Sequence, residues 1–361
     1  MMPRPVLIAA SLLLAAGTAT GCADASDNSP GATPEPEAAS GSPTERFDIQ
    51  AHRGGLGLMV ESTIPAFANA LELGVSTLEL DVQITADGAA VVTHDRQVSP
   101  SKCQDTAPAR ADDPQFPYVG KYIRDLTLAQ VQTLDCGSLA LTGRTGQVVV
   151  PGERMPLLAD VLALVRDYGA TDVMLNIETK VEAAAPGETA PREQFVEVVA
   201  DEVRASGMAD QVMIQSFDWG ALTAMRAEFP ELPLVALTNG DFLEVDQPGA
   251  SPWLGGLDID DFAGDLVAAA ASIGAAAISP VHGFPQDGAV TDEDYEPFVT
   301  ADLVDRAHGA GLEVIPWTVN DAATMRKLLD DGVDGIITDY PDVLREVLVE
   351  RGLELPEPQR R

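Results

Sequence analysis

Basic residues are scarce in this 361-residue chain: 22 Lys and Arg stand against 57 Asp and Glu, for a formal net charge of −35. That balance excludes a nucleic-acid partner, because binding to a phosphate backbone depends on a net basic surface; the acidity serves solubility instead. Cysteine is scarcer still, at three residues. Neither Cys103 nor Cys136 has a Cys or His at ligand spacing, which argues against a thiolate metal site. No Gly-x-Gly-x-x-Gly follows the first strand-like run, where His52-Arg53-Gly54-Gly55 stands instead, and this weighs against an open dinucleotide-binding sheet. The N-terminal apolar stretch, Val6 to Ala16, falls short of the length a membrane-spanning helix needs.

That stretch reads as an export signal: Arg4 supplies positive charge before it, and Ala19-Thr20-Gly21-Cys22 sets small residues ahead of a cysteine. Residues 1–21 are expected to be removed. The small-small-Cys ending resembles a bacterial lipoprotein signal in which Cys22 is lipidated, although Ala19 occupies a place where that pattern favours Leu; plain secretion is the alternative. Residues 22–45 are rich in Ala, Ser, Pro, Gly, Asp and Glu and have little to bury, as a disordered tether would. An exported protein held at the cell surface by a lipid is the expectation, with the membrane met only through that anchor. Cys103 and Cys136 then remain as an even pair in an oxidising compartment, so a disulfide is expected. Closing so long a loop contributes about 3 to 4 kcal/mol if unstrained.

From residue 46 to 350, apolar β-branched runs alternate with amphipathic stretches, the signature of βα units on a parallel sheet. Candidate strands end near His52, Asp81, Glu178, Ser216, Thr238, Ser279, Thr318 and Asp339. Helical patterns run over Thr63 to Leu73, Leu157 to Tyr168, Arg192 to Ser206, Ala221 to Glu228, Leu266 to Ile273, Ala301 to His308, Ala322 to Leu329 and Pro341 to Val349, with Asp and Ser as caps. The expected fold is α/β, a (β/α)8 TIM barrel. The segment from about Asp95 to Glu153 breaks the spacing, carries both cysteines and reads as a disulfide-stapled insertion after the second strand region. It forms either a wall over the site or a surface decoration. Residues 351–361 form a C-terminal tail.

Barrel enzymes carry their chemistry at strand ends, and the titratable residues gather there. His52 and Arg53 precede two glycines, a cationic turn suited to phosphate. Thr77-Leu78-Glu79-Leu80-Asp81-Val82 alternates, which puts Glu79 and Asp81 on one face of a strand. Buried carboxylates without compensation are costly, so the pair calls for a cation. His94-Asp95 and Asn176-Ile177-Glu178-Thr179-Lys180 close further apolar runs. Carboxylates with no cysteine beside them favour a hard ion, Ca²⁺ or Mg²⁺, over zinc.

The ordered set His-Arg-Gly, Glu-x-Thr, Glu-x-Asp, His-Asp, Glu-x-Lys, Trp-Thr-Val-Asn and Thr-Asp-x-Pro resembles the glycerophosphodiester phosphodiesterase family over residues 46–350. The resemblance implies a TIM barrel that uses one divalent cation to hydrolyse glycerophosphodiesters to an alcohol and glycerol 3-phosphate, through a cyclic phosphate. It implies Glu79, Asp81 and Glu178 as metal ligands, His52 and His94 as the acid/base pair, and Arg53 and Lys180 as phosphate ligands. Glu61 falls on the family's Pro-Glu-Asn-Thr motif, here Val60-Glu61-Ser62-Thr63, and is either a further ligand or a partner behind one; loss of the Pro and Asn bears on the loop's shape. Trp317 is expected to line the substrate site. Phe217 stands between substrate wall and core, His282 more readily reads as a loop histidine and His308 as a helix-end residue, and Asp339 looks structural. Two alternatives stand beside this reading: a phospholipase C- or D-like phosphodiesterase on the same barrel, and a binding protein for glycerol-phosphate polymers that does not cleave them.

Overall fold

The structure, a computed structural model, describes residues 46–361. The export signal, the tether and the lipidation expected at Cys22 lie outside the described residues. No helix among the described residues is long and apolar enough to cross a membrane.

Eight parallel strands make a nearly closed barrel: β1 (Asp48–Ala51), β2 (Thr77–Ile84), β3 (Met174–Thr179), β4 (Val212–Ser216), β5 (Leu234–Thr238), β6 (Ala277–Pro280), β7 (Glu313–Val314) and β8 (Gly335–Thr338). Each pairs with its sequence neighbour from β1 to β7, and β8 returns beside β1 with Asp48 to Ala51 opposite Gly335 to Thr338. Backbone bonds bring the last two together, Asp334 N donating to Val314 O at 3.1 Å and Ile337 N to Pro316 O at 3.0 Å. Six strands end within one residue of where the sequence places them, whereas β2 runs on past Asp81 to Ile84 and β7 stops at Val314, short of the end expected near Thr318. A short antiparallel strand, Ala90–Val92, hangs on β2.

The helices are α1 (Ile64–Leu73), α2 (Leu158–Asp167), α3 (Arg192–Ser206), α4 (Trp219–Glu228), α5 (Leu266–Ser272), α6 (Ala301–Gly309), α7 (Ala322–Asp331) and α8 (Pro341–Glu350). Five of the eight are capped at the N-terminus by Asp or Thr, with Thr63, Asp218, Asp265, Thr300 and Asp321 each accepting a first-turn N–H; none is capped by Ser. Their apolar faces and the outward faces of the strands form one continuous core, from Ile49 and Phe67 through Ile177, Phe195 and Trp219 to Val314 and Leu348.

The insertion follows β2 and its antiparallel partner, as expected. It has its own small core of Val98, Tyr118, Ile123, Leu126, Val131, Leu134 and Met155, and the Cys103–Cys136 disulfide packs into it. A two-residue antiparallel pair, Gln104–Asp105 with Leu134–Asp135, flanks the disulfide. Its Arg96 to Pro100 and Gly120 line the cleft described next, so it forms a wall of that cleft and is not a remote decoration.

Candidate active site

At the carboxyl ends of the strands lies a cleft of about 630 Å³, lined by His52, Arg53, Glu79, His94, Glu178, Lys180, Phe217 and Trp317 among others. Strand register builds its floor. Asp81 on β2 pairs with Glu178 on β3, and Glu178 with Gln215 on β4, so three inward-facing polar residues stand side by side. Gln215 Nε2 donates to Glu79 Oε1 at 2.7 Å, and Asn176 Nδ2 donates to both Gln215 and Gln50 below it. This amide layer fixes Glu79 from beneath.

The His52–Gly55 turn needs its glycines. Gly54 has φ +84°, and a Cβ there would meet Ala66 and Phe67 of α1 at 3.0 Å. Arg53 adopts a left-handed backbone, φ 51°, a conformation that costs a non-glycine residue about 1 kcal/mol or more. Its N–H donates to Glu79 Oε2 at 2.9 Å, and its carbonyl accepts from Ser62 N at 3.0 Å, which offsets that cost. The turn thereby throws the guanidinium over the acidic floor, with Nε 3.1 Å from Asp81 Oδ2.

Glu79, Asp81 and Glu178 each present a carboxylate oxygen within 4.8 Å of the others, and all three are buried. Burial and the neighbouring Asp81 push Glu79 well above the ordinary carboxylate range. Burial likewise raises Glu178 to about 7, with Lys180 opposing and Asp81 adding to the shift. Burial works to raise Asp81 too, but Arg53 and Lys180 outweigh it and hold Asp81 below its usual value. Asp81 Oδ2 is buried with no hydrogen-bond donor, its contact with Arg53 Nε being one of charge only. Three crowded carboxylates, one with an orphaned oxygen, fit a cation held by oxygen ligands.

Each cleft histidine is held through Nδ1 by a carboxylate. His52 Nδ1 lies 2.6 Å from Asp339 Oδ1, and His94 Nδ1 lies 2.7 Å from Asp95 Oδ1. Asp339 is 1% exposed, and its second oxygen meets Arg144 at 2.5 Å and Asn320 Nδ2 at 2.8 Å. Burial opposes the ionised form of Asp339, but the bond to His52 more than compensates and its acidity increases. From the sequence, Asp339 has only the structural part of closing the barrel; the structure shows that it also holds the His52 ring. Burial, then Arg53 and Lys180, push His94 well below the usual histidine range, which favours the neutral ring. Lys180 Nζ sits 2.9 Å from Glu178 Oε1 and 3.7 Å from Asp81 Oδ1.

Glu61 lies outside the acidic cluster. It accepts from Arg53 at 3.2 Å and from Lys102 at 2.9 Å, so of the two places open to it the structure puts it behind Arg53. Trp317 lines the cleft, anchored by Nε1 donating to Ser279 O at 2.9 Å. Phe217 joins it edge to face at 5.5 Å, and Phe242 and Trp253, stacked at 4.1 Å, extend the wall. His282 is instead buried between Tyr295 Oη and Gln286 O, away from the cleft lining, and His308 pairs with Asp334 near the end of α6.

The family profile for glycerophosphoryl diester phosphodiesterases matches residues 52–343, a span that contains every one of these cleft residues. The chain belongs to that family. Its members hydrolyse glycerophosphodiesters, and several curated relatives carry that name. The glycerophosphodiester phosphodiesterase of Caldanaerobacter subterraneus subsp. tengcongensis is 28% identical over 305 residues, covering 84% of this chain and 98% of the relative. A solved protein of Silicibacter pomeroyi DSS-3 that carries a provisional glycerophosphoryl diester phosphodiesterase name is 31% identical, with a TM-score of 0.69 over 86% of this chain and 96% of its own. An Oleispira antarctica phosphodiesterase, solved in complex with the product sn-glycerol-3-phosphate, shares the fold at 20% identity and a TM-score of 0.60, over 84% of this chain and 97% of its own.

Proposed function

We propose that this glycerophosphodiesterase cleaves its substrate to glycerol 3-phosphate and an alcohol by histidine acid/base catalysis beside one divalent cation, Ca²⁺ or Mg²⁺. One observation carries the reading: His52 and His94 line a single cleft, each with Nδ1 committed to a carboxylate. Nε2 of each ring is then the nitrogen left to move a proton. Glu79, Asp81 and Glu178 would hold the ion, which neutralises the acidic floor and polarises a phosphoryl oxygen. Arg53 and Lys180 place two further cations over that floor and bind the phosphoryl oxygens as charge redistributes.

One histidine deprotonates the substrate's glycerol hydroxyl, which attacks the phosphorus. The other protonates the leaving alcohol, and the roles reverse when water opens the cyclic phosphate. The leaving alcohol rests on the wall of Trp317 and Phe217. Export with a lipid on Cys22 is part of the same proposal, tested by whether Cys22→Ala releases the protein from membranes.

A product assay over glycerophosphocholine, glycerophosphoethanolamine and glycerophosphoinositol, with and without chelator, tests the reaction. Glycerol 3-phosphate and free alcohol are expected, with activity lost to the chelator and restored by the ion. A phosphorylated alcohol as product would mean phospholipase C-type cleavage, and tight binding without turnover would mean a binding protein.

A further inference from the structure

Lys102 does not line the cleft, yet its charge meets both halves of the machinery that does. It lies on the insertion, in a turn where Lys102 N and Cys103 N donate to Ser99 O at 3.1 and 2.9 Å. The next residue, Cys103, is bonded to Cys136, so the turn is tied to the insertion's small core. The Lys102 ammonium reaches Asp95 Oδ2 at 3.0 Å and Glu61 Oε1 at 2.9 Å. Asp95 turns its other oxygen to His94 Nδ1 at 2.7 Å, and Glu61 Oε1 also accepts from Arg53 Nη1 at 3.2 Å.

One ammonium therefore bridges the carboxylate behind a histidine and the carboxylate behind a guanidinium. Glu61 is buried, so without a cation on each side its charge would be uncompensated in a low-dielectric site. Asp95 is about one-third exposed, and without Lys102 little else holds it against water. A carboxylate free to rotate no longer fixes which ring nitrogen of His94 carries the proton.

We infer that Lys102 is a positioning residue, clamping Asp95 in the rotamer that orients His94 and Glu61 in the one that orients Arg53. The inference rests on the acid/base reading of His94. It also gives the insertion a part in turnover: the disulfide-tied turn delivers a charge that the barrel strands do not supply.

The test compares kcat per folded full-length enzyme on glycerophosphocholine for Lys102→Met, Lys102→Arg, Asp95→Asn and the Lys102→Met/Asp95→Asn double variant. Lys102→Met should lower kcat about tenfold to a hundredfold, the usual effect of removing a partner that orients a working group. Lys102→Arg should recover most of that loss, because the bridging charge returns. The double variant should be worse than Asp95→Asn alone by less than the full Lys102→Met factor, since the arm through Asp95 to His94 is already cut and only the arm through Glu61 to Arg53 remains to be lost. A wild-type kcat in Lys102→Met, or losses that multiply fully in the double variant, would overturn the inference. If Lys102→Met does not fold, Lys102→Gln, which keeps a donor to Glu61 without the charge, carries the same comparison. His94→Ala separates the two readings: if it stays active the acid/base reading is wrong, whereas an inactive His94→Ala beside an unimpaired Lys102→Met condemns the clamp alone.

Discussion

His52 Nδ1 lies 2.6 Å from Asp339 Oδ1, so residues that follow the first and last strands of the barrel meet in one hydrogen bond at the cleft. The bond fixes the ring's tautomer and stabilises the imidazolium that forms when His52 takes a proton. Asp339→Asn removes the anion while keeping the shape. Its kcat should fall by about 10²- to 10⁴-fold, the range seen when an orienting carboxylate is neutralised or a positioned proton transfer is lost. Steady-state turnover near the wild-type value in a folded Asp339→Asn protein would refute this role.

The acidic floor sets the response to metal removal. Glu79→Ala or Asp81→Ala should weaken ion retention as well as turnover, each by removing one of three clustered ligands. Calorimetric titration of Ca²⁺ and Mg²⁺ into the chelator-treated protein reads affinity apart from catalysis. Full activity in metal-free, chelator-treated enzyme would show that the carboxylates serve another purpose.

The fold was legible because each βα unit announces itself: strand ends at His52, Asp81, Glu178 and Asp339 are titratable residues closing apolar runs. Glu79 and Asp81 were legible as a pair because strand alternation is strict, and Glu178 because it recurs at the next strand's end. Their partners were not. Asp339 lies 287 positions from His52, and only closure of the barrel brings them together. Lys102 sits in an insertion with no periodic pattern, and a lysine beside a cysteine carries no signal of the two carboxylates it meets. Phe242 and Trp253 lie in the loop after β5, where stacking depends on loop shape that a sequence pattern does not encode.

Ion binding should depend on pH. In the ion-free site Glu178 is held up at about 7 by burial, so below that pH a proton competes with the cation. Affinity should rise as pH climbs through about 7, with protons released on binding. The stability sign follows from the same shift. A carboxyl whose folded pKa exceeds its unfolded value of about 4.3 holds an extra proton in the folded state, so the Glu178 contribution to stability should be lost as pH rises from about 4.3 through about 7, while the lowered His94 contributes in the opposite sense below about 6.5. Added ion should remove most of that loss. Thermal melts across this window, with chelator and with Ca²⁺, measure both arms; identical pH profiles in the two conditions would contradict the assignment.

Reduction of Cys103–Cys136 should act chiefly on stability. The bond joins positions 33 residues apart, and its loss should cost about 3 to 4 kcal/mol by the loop-entropy estimate. The insertion keeps Val98, Tyr118, Ile123 and Leu134 packed without it, so the wall and the Lys102 turn should hold at low temperature. A lowered thermal midpoint with most turnover retained at 20 °C or so is expected. Mass mapping of the unreduced protein checks the bond itself, and two free thiols there would refute it.

The cyclic route makes the sharpest demand on substrate. If the glycerol hydroxyl next to the phosphate is the nucleophile, intramolecular attack gains a proximity advantage that free water lacks. His52 and His94, each fixed through Nδ1, suit a two-stage exchange in which one takes the hydroxyl proton while the other supplies the leaving alcohol. A diester with that hydroxyl deleted or methylated keeps every oxygen that Arg53, Lys180 and the ion would hold. It should therefore bind with an inhibition constant close to the KM of the parent diester, yet turn over at least about 10²-fold more slowly, from the lost proximity and the lost positioned proton transfer. Trapping should agree: rapid quenching with glycerophosphocholine should reveal a transient cyclic glycerophosphate, and the same cyclic compound supplied as substrate should be opened to glycerol 3-phosphate. Hydrolysis of the hydroxyl-free analogue at the parent rate would mean that water attacks phosphorus directly, and one histidine would then serve as base for that water.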